Sequence, residues 1–165
     1  MDIVHLESFL DYLARVHDRT RRLVALIPSD ALEWAPRTGA FTSGDLVRHL
    51  AGIERYMYAE NVLGHPSRYP GHDTSLADGL PAVLDYYDRC HSESVAIFAS
   101  LDAPALRARQ RTPAGVSVTV WKLLRAMIEH EVHHRGQLYL MLSLRGVATP
   151  PIFGLTEEEV TARSQ

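Results

Sequence analysis

Cysteine is almost absent from this chain. Cys90 stands alone among 165 residues, which excludes an intrachain disulfide and points to a reducing compartment, with the cytoplasm as the expected location. A basic excess is missing too: the formal net charge is −3, and no run of arginine and lysine interleaved with aromatics occurs, which argues against a nucleic-acid partner. No stretch approaches the ~20 apolar residues of a membrane span. The start, Met1-Asp-Ile-Val-His-Leu-Glu, lacks the charged opening and apolar core of a signal peptide. Internal repeats, low-complexity stretches and domain linkers are lacking as well. What remains is a chain long enough to bury its own core, expected to form a single domain over residues 1–165.

What is present is helical periodicity. A first helix is predicted from about Val4 to Ile27, with Leu6, Phe9, Leu13, Val16, Thr20, Leu23 and Ile27 on one face and Pro28 as its stop. A second starts at Thr42, an N-cap with Asp45 three residues on. Phe41 and Leu46 are placed as a hydrophobic staple, and the helix runs to about Leu63. A third begins near Pro81 and reaches Leu101, its inner stripe being Leu80, Leu84, Tyr87, His91, Ser94, Phe98 and Leu101. A fourth extends from Thr119 to Leu144, closed by Arg145-Gly146. Between the last two, alternation around Thr112-Pro-Ala-Gly115 suggests a small hairpin. After Pro150-Pro151 a short helix is expected over Thr156 to Ala162. The fold class is all-α, a four-helix bundle with connections longer than simple bundles use, so the pattern leaves open which helices run antiparallel.

The most informative run is His130-Glu-Val-His-His-Arg-Gly-Gln137. His130 and His134, four apart, share a helix face with Leu123, Ala126, Met127, Gln137, Leu138 and Met141, so they point inward. Two unpaired imidazoles are costly to bury, and a divalent cation satisfies both. His133, about 60° round the helix, faces elsewhere. A third ligand must come from another helix. His49, on a face with Leu46, Ile53, Tyr56 and Met57, and His91, in the third helix's stripe, are both placed for it, and periodicity does not choose between them. His5 and His17 lie on the first helix, His65 and His72 in a Gly/Pro-rich loop. The fourth helix carries a second apolar stripe of Trp121, Leu124, Ile128, Val132, Tyr139 and Leu142, which suggests a homodimer unless residues 150–162 fold back over it. Gly52 and Gly136 are read as places of close helix approach.

The chain resembles the DinB-like (DinB/YfiT-type) family of metal-binding helical bundles. The resemblance is carried by Ser43-Gly-Asp-Leu-Val-Arg-His49-Leu and His130-Glu-Val-His-His134-Arg-Gly-Gln137, with Trp34 and the tail Pro150-Pro-Ile-Phe-Gly-Leu-Thr156 in support. It implies His49, His130 and His134 as the metal ligands, leaving His91 as a core or supporting residue. Three neutral imidazoles suit zinc or nickel and leave a position open for water or substrate. Characterised members of the family conjugate low-molecular-weight thiols to electrophiles or isomerise substrates with such a thiol. The resemblance therefore implies a metal-dependent thiol S-transferase or related enzyme acting on a small molecule.

Two other readings use the same residues. His130-Glu131-Val-His-His134 satisfies the zinc-peptidase pattern with Glu131 as general base, though no further histidine follows at Leu138 to Leu140, and Glu157 to Glu159 look like first-turn helix residues. Glu131 is otherwise read as touching the rim of the site or as a solvated charge. A non-catalytic metal or small-ligand binding protein of a stress response is the second. The mouth of the pocket is expected from the loops around His65 to His72, with Arg68 and Tyr69, and Arg109 to Val116. Tyr56 and Gln137 are placed to hydrogen-bond a bound group, and Cys90 is read as packing.

Overall fold

The computed structural model describes residues 3, 5–152 and 154–164. Helix α1 spans Leu6–Val24 and buries Phe9, Leu13, Val16, Thr20, Leu23 and Val24, the predicted stripe, with Ile27 buried just beyond. Val4, the expected first residue of this helix, lies outside the described residues, as does Phe153 of the tail. Helix α2 (Ser43–Ile53) starts on a complete capping box: the Thr42 hydroxyl accepts from the Asp45 N–H, and the Asp45 carboxylate accepts from the Thr42 N–H at 3.0 Å.

The second helix is not uniform. A π turn over Glu54–Tyr58 separates α2 from one further α-helical turn, α3 (Ala59–Val62). The inner face reads Leu46, Leu50, Glu54 and then Ala59, so it skips one residue where the wide turn is inserted. Glu54 points into the bundle at ordinary helical spacing from Leu50, and the wide turn after it leaves Tyr56 and Met57 half-buried.

Helix α4 (Leu80–Ala99) carries Pro81 in its first turn and buries Val83, Tyr86, Tyr87, Cys90, Ser94 and Phe98. A short α5 (Ala103–Arg107) precedes the expected hairpin, in which β1 (Arg109–Arg111) pairs antiparallel with β2 (Ser117–Thr119). Helix α6 (Val120–Leu144) ends where Gly146 takes φ +71°, a conformation open to glycine at no steric cost. Helix α7 (Glu157–Arg163) has its own capping box at Thr156 and buries nothing.

The four long helices form a bundle in which α1 and α2 each neighbour α4 and α6. Contacts settle the directions that periodicity left open. Phe9 meets Phe98 and Arg21 meets Asp88, so α1 and α4 are antiparallel. Arg135 donates to the Val16 carbonyl and Arg145 pairs with Asp30 just after α1, so α1 and α6 are parallel. Gly52 approaches Tyr86 and Arg55 pairs with Glu93, which makes α2 and α4 parallel. Long crossover connections over residues 63–79 and 100–119 make this order possible.

The core is two apolar clusters. One gathers Leu23, Val24, Leu46, Leu50, Val83, Leu138 and Met141; the other gathers Phe9, Leu13, Val16, Phe98, Leu123, Leu124 and Met127. A connected set of polar side chains, His17, Thr20, Glu54, Tyr87, His91, Glu131 and Arg135, lies within the bundle as well.

Most of the second stripe of α6 belongs to this single-chain core. Leu124, Ile128 and Leu142 are buried, Trp121 is half-buried, and the Tyr139 hydroxyl donates to the Pro150 carbonyl at 2.9 Å, so the tail does fold back there. Leu124, Ile128 and Leu142, read as part of a dimer face, instead pack in the core with Leu13, Val16, Leu23 and Val24 of α1. Val132, Leu140 and Leu144 are exposed. Gly136 likewise has nothing within 4 Å of an added Cβ, so it serves no close approach, whereas at Gly52 a Cβ would meet the Pro70 ring at 3.1 Å.

Candidate metal centre

His49 comes from α2, two turns past its cap, and His130 and His134 from the middle of α6. One ring nitrogen of each lies within 4.8 Å of the other two. The Nε2 atoms of His49 and His130 are 3.1 Å apart. Two nitrogens bound to one tetrahedral zinc at about 2.0–2.1 Å are separated by roughly 3.3 Å, so the spacing fits a shared cation. All three rings are half-buried.

The surroundings keep these imidazoles neutral, as ligands must be. Burial, then the neighbouring His134 and His72, push His49 down to about 4. Burial and the other histidines of the group push His130 down to about 3. His134 is lowered by burial, partly offset by a hydrogen bond to Gln137. That bond, His134 Nδ1 to Gln137 Oε1 at 2.7 Å, makes Gln137 a support for His134, where the sequence had suggested a contact to a bound group. Tyr56 does not join the site either. Its ring packs against the first apolar cluster, with the Arg55 and Arg68 guanidinium groups over it, because the π turn rotates it away. Tyr58 lies beside His130 instead, with ring centroids 6.3 Å apart.

His91 takes no part in the trio. Its Nδ1 meets Glu54 Oε1 at 3.0 Å, and its ring stacks on His17 at 3.7 Å. His17 in turn stacks on Tyr87 and meets Asp88 Oδ1 through Nε2 at 3.2 Å. Burial drives His17 down to about 4.

Glu131 fits none of the three readings made of it. It is only 6 % exposed and faces the core, where the Tyr87 hydroxyl donates to Oε1 at 2.6 Å. Burial pushes its carboxyl up to about 7 against the pull of the Thr20 and Tyr87 hydroxyls and the nearby Arg135. One step along α6 from His130 is about 100°, enough here to reach the interior between α1 and α4.

The remaining candidates are peripheral. His5 caps α1 without a side-chain bond and His65 pairs with Glu60 at 3.0 Å. Glu157 to Glu159 occupy the exposed first turn of α7. Cys90 is buried and its thiol is pushed up to about 11, which makes it inert.

The two loops expected at the mouth do meet, around a cleft of about 610 Å³ that includes His65, Ser67, Gln110 and Arg111 but no member of the trio. What stands over His49 are Phe41, Tyr69 and His72, with the Tyr69 hydroxyl 2.8 Å from His49 Nδ1. Sequence reasoning named Tyr69 only as lining. Its role depends on how a loop closes, and no periodicity signals that.

The sequence profile of the DinB family matches residues 3–165. The chain belongs to the DinB family. Solved structures agree on the fold. A DinB-like protein from Bacillus cereus superposes with a TM-score of 0.75 at 17 % identity, covering 88 % of this chain and 95 % of that one. YfiT from Bacillus subtilis, described as a probable metal-dependent hydrolase with an unusual four-helix bundle topology, gives 0.71 at 17 % identity, with 87 % and 89 % covered. A mycothiol-dependent maleylpyruvate isomerase gives 0.64 at 15 % identity, covering 81 % of this chain and 60 % of that longer one. No curated protein matches by sequence. Among the described residues, no helix is long and apolar enough to cross a membrane.

Proposed function

We propose that His49, His130 and His134 hold a divalent cation, zinc or nickel, and that the protein is a thiol S-transferase or related enzyme acting on small molecules with a low-molecular-weight thiol as co-substrate. The observation that carries this reading is the convergence of three neutral imidazoles with no cysteine or carboxylate in the group. Closed structural zinc sites use four protein ligands, and three leave room for a reactant. A divalent cation bound there supplies the charge that acidifies a thiol or water near neutrality. In the overall transfer the thiol loses its S–H proton to solvent, a new S–C bond forms at the electrophile, and the leaving group departs with its electron pair.

The chain's own residues support binding and orientation. Gln137 holds His134, Tyr69 holds His49, and Phe41 with Tyr58 supplies apolar walls that limit water. The description of one structural neighbour as thiol-dependent and another as metal-dependent supports the pairing of metal and thiol. The peptidase reading loses its support because Glu131, its general base, is buried against Tyr87. A cytoplasmic setting is proposed from the single buried cysteine. A homodimer is proposed on Val132, the exposed member of the second stripe, together with Leu140 and Leu144, which the stripe did not include.

Metal analysis of the natively purified protein, followed by assays pairing several cellular thiols with a generic electrophile, tests this function. Near-stoichiometric zinc or nickel with thiol-dependent loss of electrophile is the expected result. Metal without turnover by any thiol leaves the non-catalytic binding protein as the better reading.

A further inference from the structure

Residues 63–79 run from α3 to α4 back across the side of α2 that carries His49. Two fixings hold this loop. Arg48, fully buried, donates through Nε to the Ala77 carbonyl at 2.8 Å and through a terminal nitrogen to the His72 carbonyl at 3.4 Å. Its charge is balanced by Glu33 and Asp45. The bare Cα of Gly52 admits the Pro70 ring. Tyr69 and His72 are thereby brought over His49, with Phe41 packed against both histidine rings. The Tyr69 hydroxyl lies 2.8 Å from His49 Nδ1 and 2.7 Å from His72 Nδ1.

We propose that Tyr69 and His72 are positioning residues for the metal centre: they decide which nitrogen of His49 carries its proton and so keep Nε2 bare for a cation. This inference rests on the reading of the histidine trio as a metal site. A hydroxyl has one proton to donate, so the three groups have two self-consistent arrangements. In the first, His49 Nδ1–H donates to the Tyr69 oxygen, Tyr69 donates to His72 Nδ1, and His49 Nε2 carries a lone pair. In the second every bond is reversed. His49 Nε2 then carries the proton and donates it toward His130 Nε2, 3.1 Å away. Only the first arrangement can bind a cation at Nε2, and in it the Tyr69 oxygen accepts from His49 while its own proton goes to His72. Phenylalanine at position 69 has the same ring and no hydroxyl, and His49 Nδ1 then loses this partner.

The test is ¹⁵N NMR of the histidine rings with zinc titration of the full chain, comparing wild type, Tyr69→Phe, His72→Ala and the distant exposed Tyr12→Phe as a control. Wild type with zinc should show the proton on His49 Nδ1. Tyr69→Phe should change the His49 tautomer signals even without metal and lower zinc affinity by about 10- to 100-fold, the usual effect of removing a partner behind a ligand. His72→Ala should lower affinity less and Tyr12→Phe not at all. Tyr69 is 46 % exposed, so loss of the fold is not expected and circular dichroism checks it. If wild type binds zinc and Tyr69→Phe binds it within about twofold with unchanged metal-free His49 signals, the positioning role is overturned and the metal reading stands. If wild type binds no zinc or nickel, the metal reading falls and this inference falls with it.

Discussion

Two groups of histidines lie in this bundle, His17 and His91 on α1 and α4, and His49, His130 and His134 on α2 and α6, and they do opposite things. In the interior layer, His91 meets Glu54, His17 meets Asp88, and Tyr87 donates to Glu131. Carboxylates and hydroxyls from three helices answer most of its polar atoms, though His17 Nδ1 has no partner among the described residues. On the α2 side, His49, His130 and His134 point their nitrogens at one another, and no carboxylate lies in the group. Nitrogens that face each other without an acid between them repel if protonated and leave lone pairs unused if neutral. An interior that places carboxylates beside its histidines is satisfied as it stands; one that withholds them is prepared for a cation. The withheld acid is as informative as the histidines.

The largest effect should come from breaking the satisfied layer. Glu131→Ala leaves the buried Tyr87 hydroxyl without its acceptor and opens a cavity in the core, and about 3 kcal/mol of stability should be lost, the two costs together. Glu131→Gln keeps an acceptor for Tyr87 and should cost far less. Urea unfolding of the metal-free protein measures both, and equal losses would show that an acceptor for Tyr87 is not what Glu131 supplies to this layer.

A slightly smaller effect should mark the open group. Zinc that binds only the folded state at a hundredfold excess over Kd stabilises it by about 2.7 kcal/mol. His134→Ala should remove most of that gain while the metal-free protein remains folded, because the ring it deletes is half-exposed. Thermal unfolding with and without zinc reads this directly. A full zinc gain in His134→Ala would assign the metal elsewhere.

The smallest effect is in the pH profile, and its sign differs between carboxyl and imidazole. The unfolded chain takes protons on histidine below about pH 6.5, while His49 and His17 in the folded chain wait until about 4 and His130 until about 3. The folded state holds fewer protons in that interval, so stability falls as pH drops through it. Glu131 works the other way. Its carboxyl is raised from 4.5 to about 7, so its contribution is present below 4.5 and is lost as pH rises toward 7. Each slope is at most about 1.4 kcal/mol per pH unit, and less for the half-exposed rings, where solvent screens the shift. Midpoints in urea from pH 4 to 8 should show Glu131→Gln losing the decline toward neutrality and His130→Gln losing part of the acid decline. Unchanged slopes in both variants would mean that other groups set the profile.

Much of the architecture was legible locally. Thr42 with Asp45, Pro81, Gly146 and the turn at Thr112 to Gly115 each mark an element boundary through backbone chemistry that needs no distant partner. The pair His130 and His134 was legible because four residues of helix bring two side chains to one face. Glu131 was misread for a related reason: its angle on the helix was right, but what stood at that angle was α1 and α4. Tyr56 was misplaced because a π turn changes the phase of every residue after Glu54. The stripe of Trp121 to Leu142 was apolar as read, and whether it faced solvent depended on which helix lay beside it.

The sequence by itself determined the helices, their caps and the spacing of the two α6 histidines, because periodicity and capping act within a few residues of the backbone. The directions of the helices, the choice of His49 over His91 by the geometry, the acid partners of the interior layer and the placement of Tyr69 over His49 were decided by tertiary structure. Each of these depends on side chains tens of residues apart meeting at hydrogen-bond distance, and that is set by how four helices pack and how their long connections close.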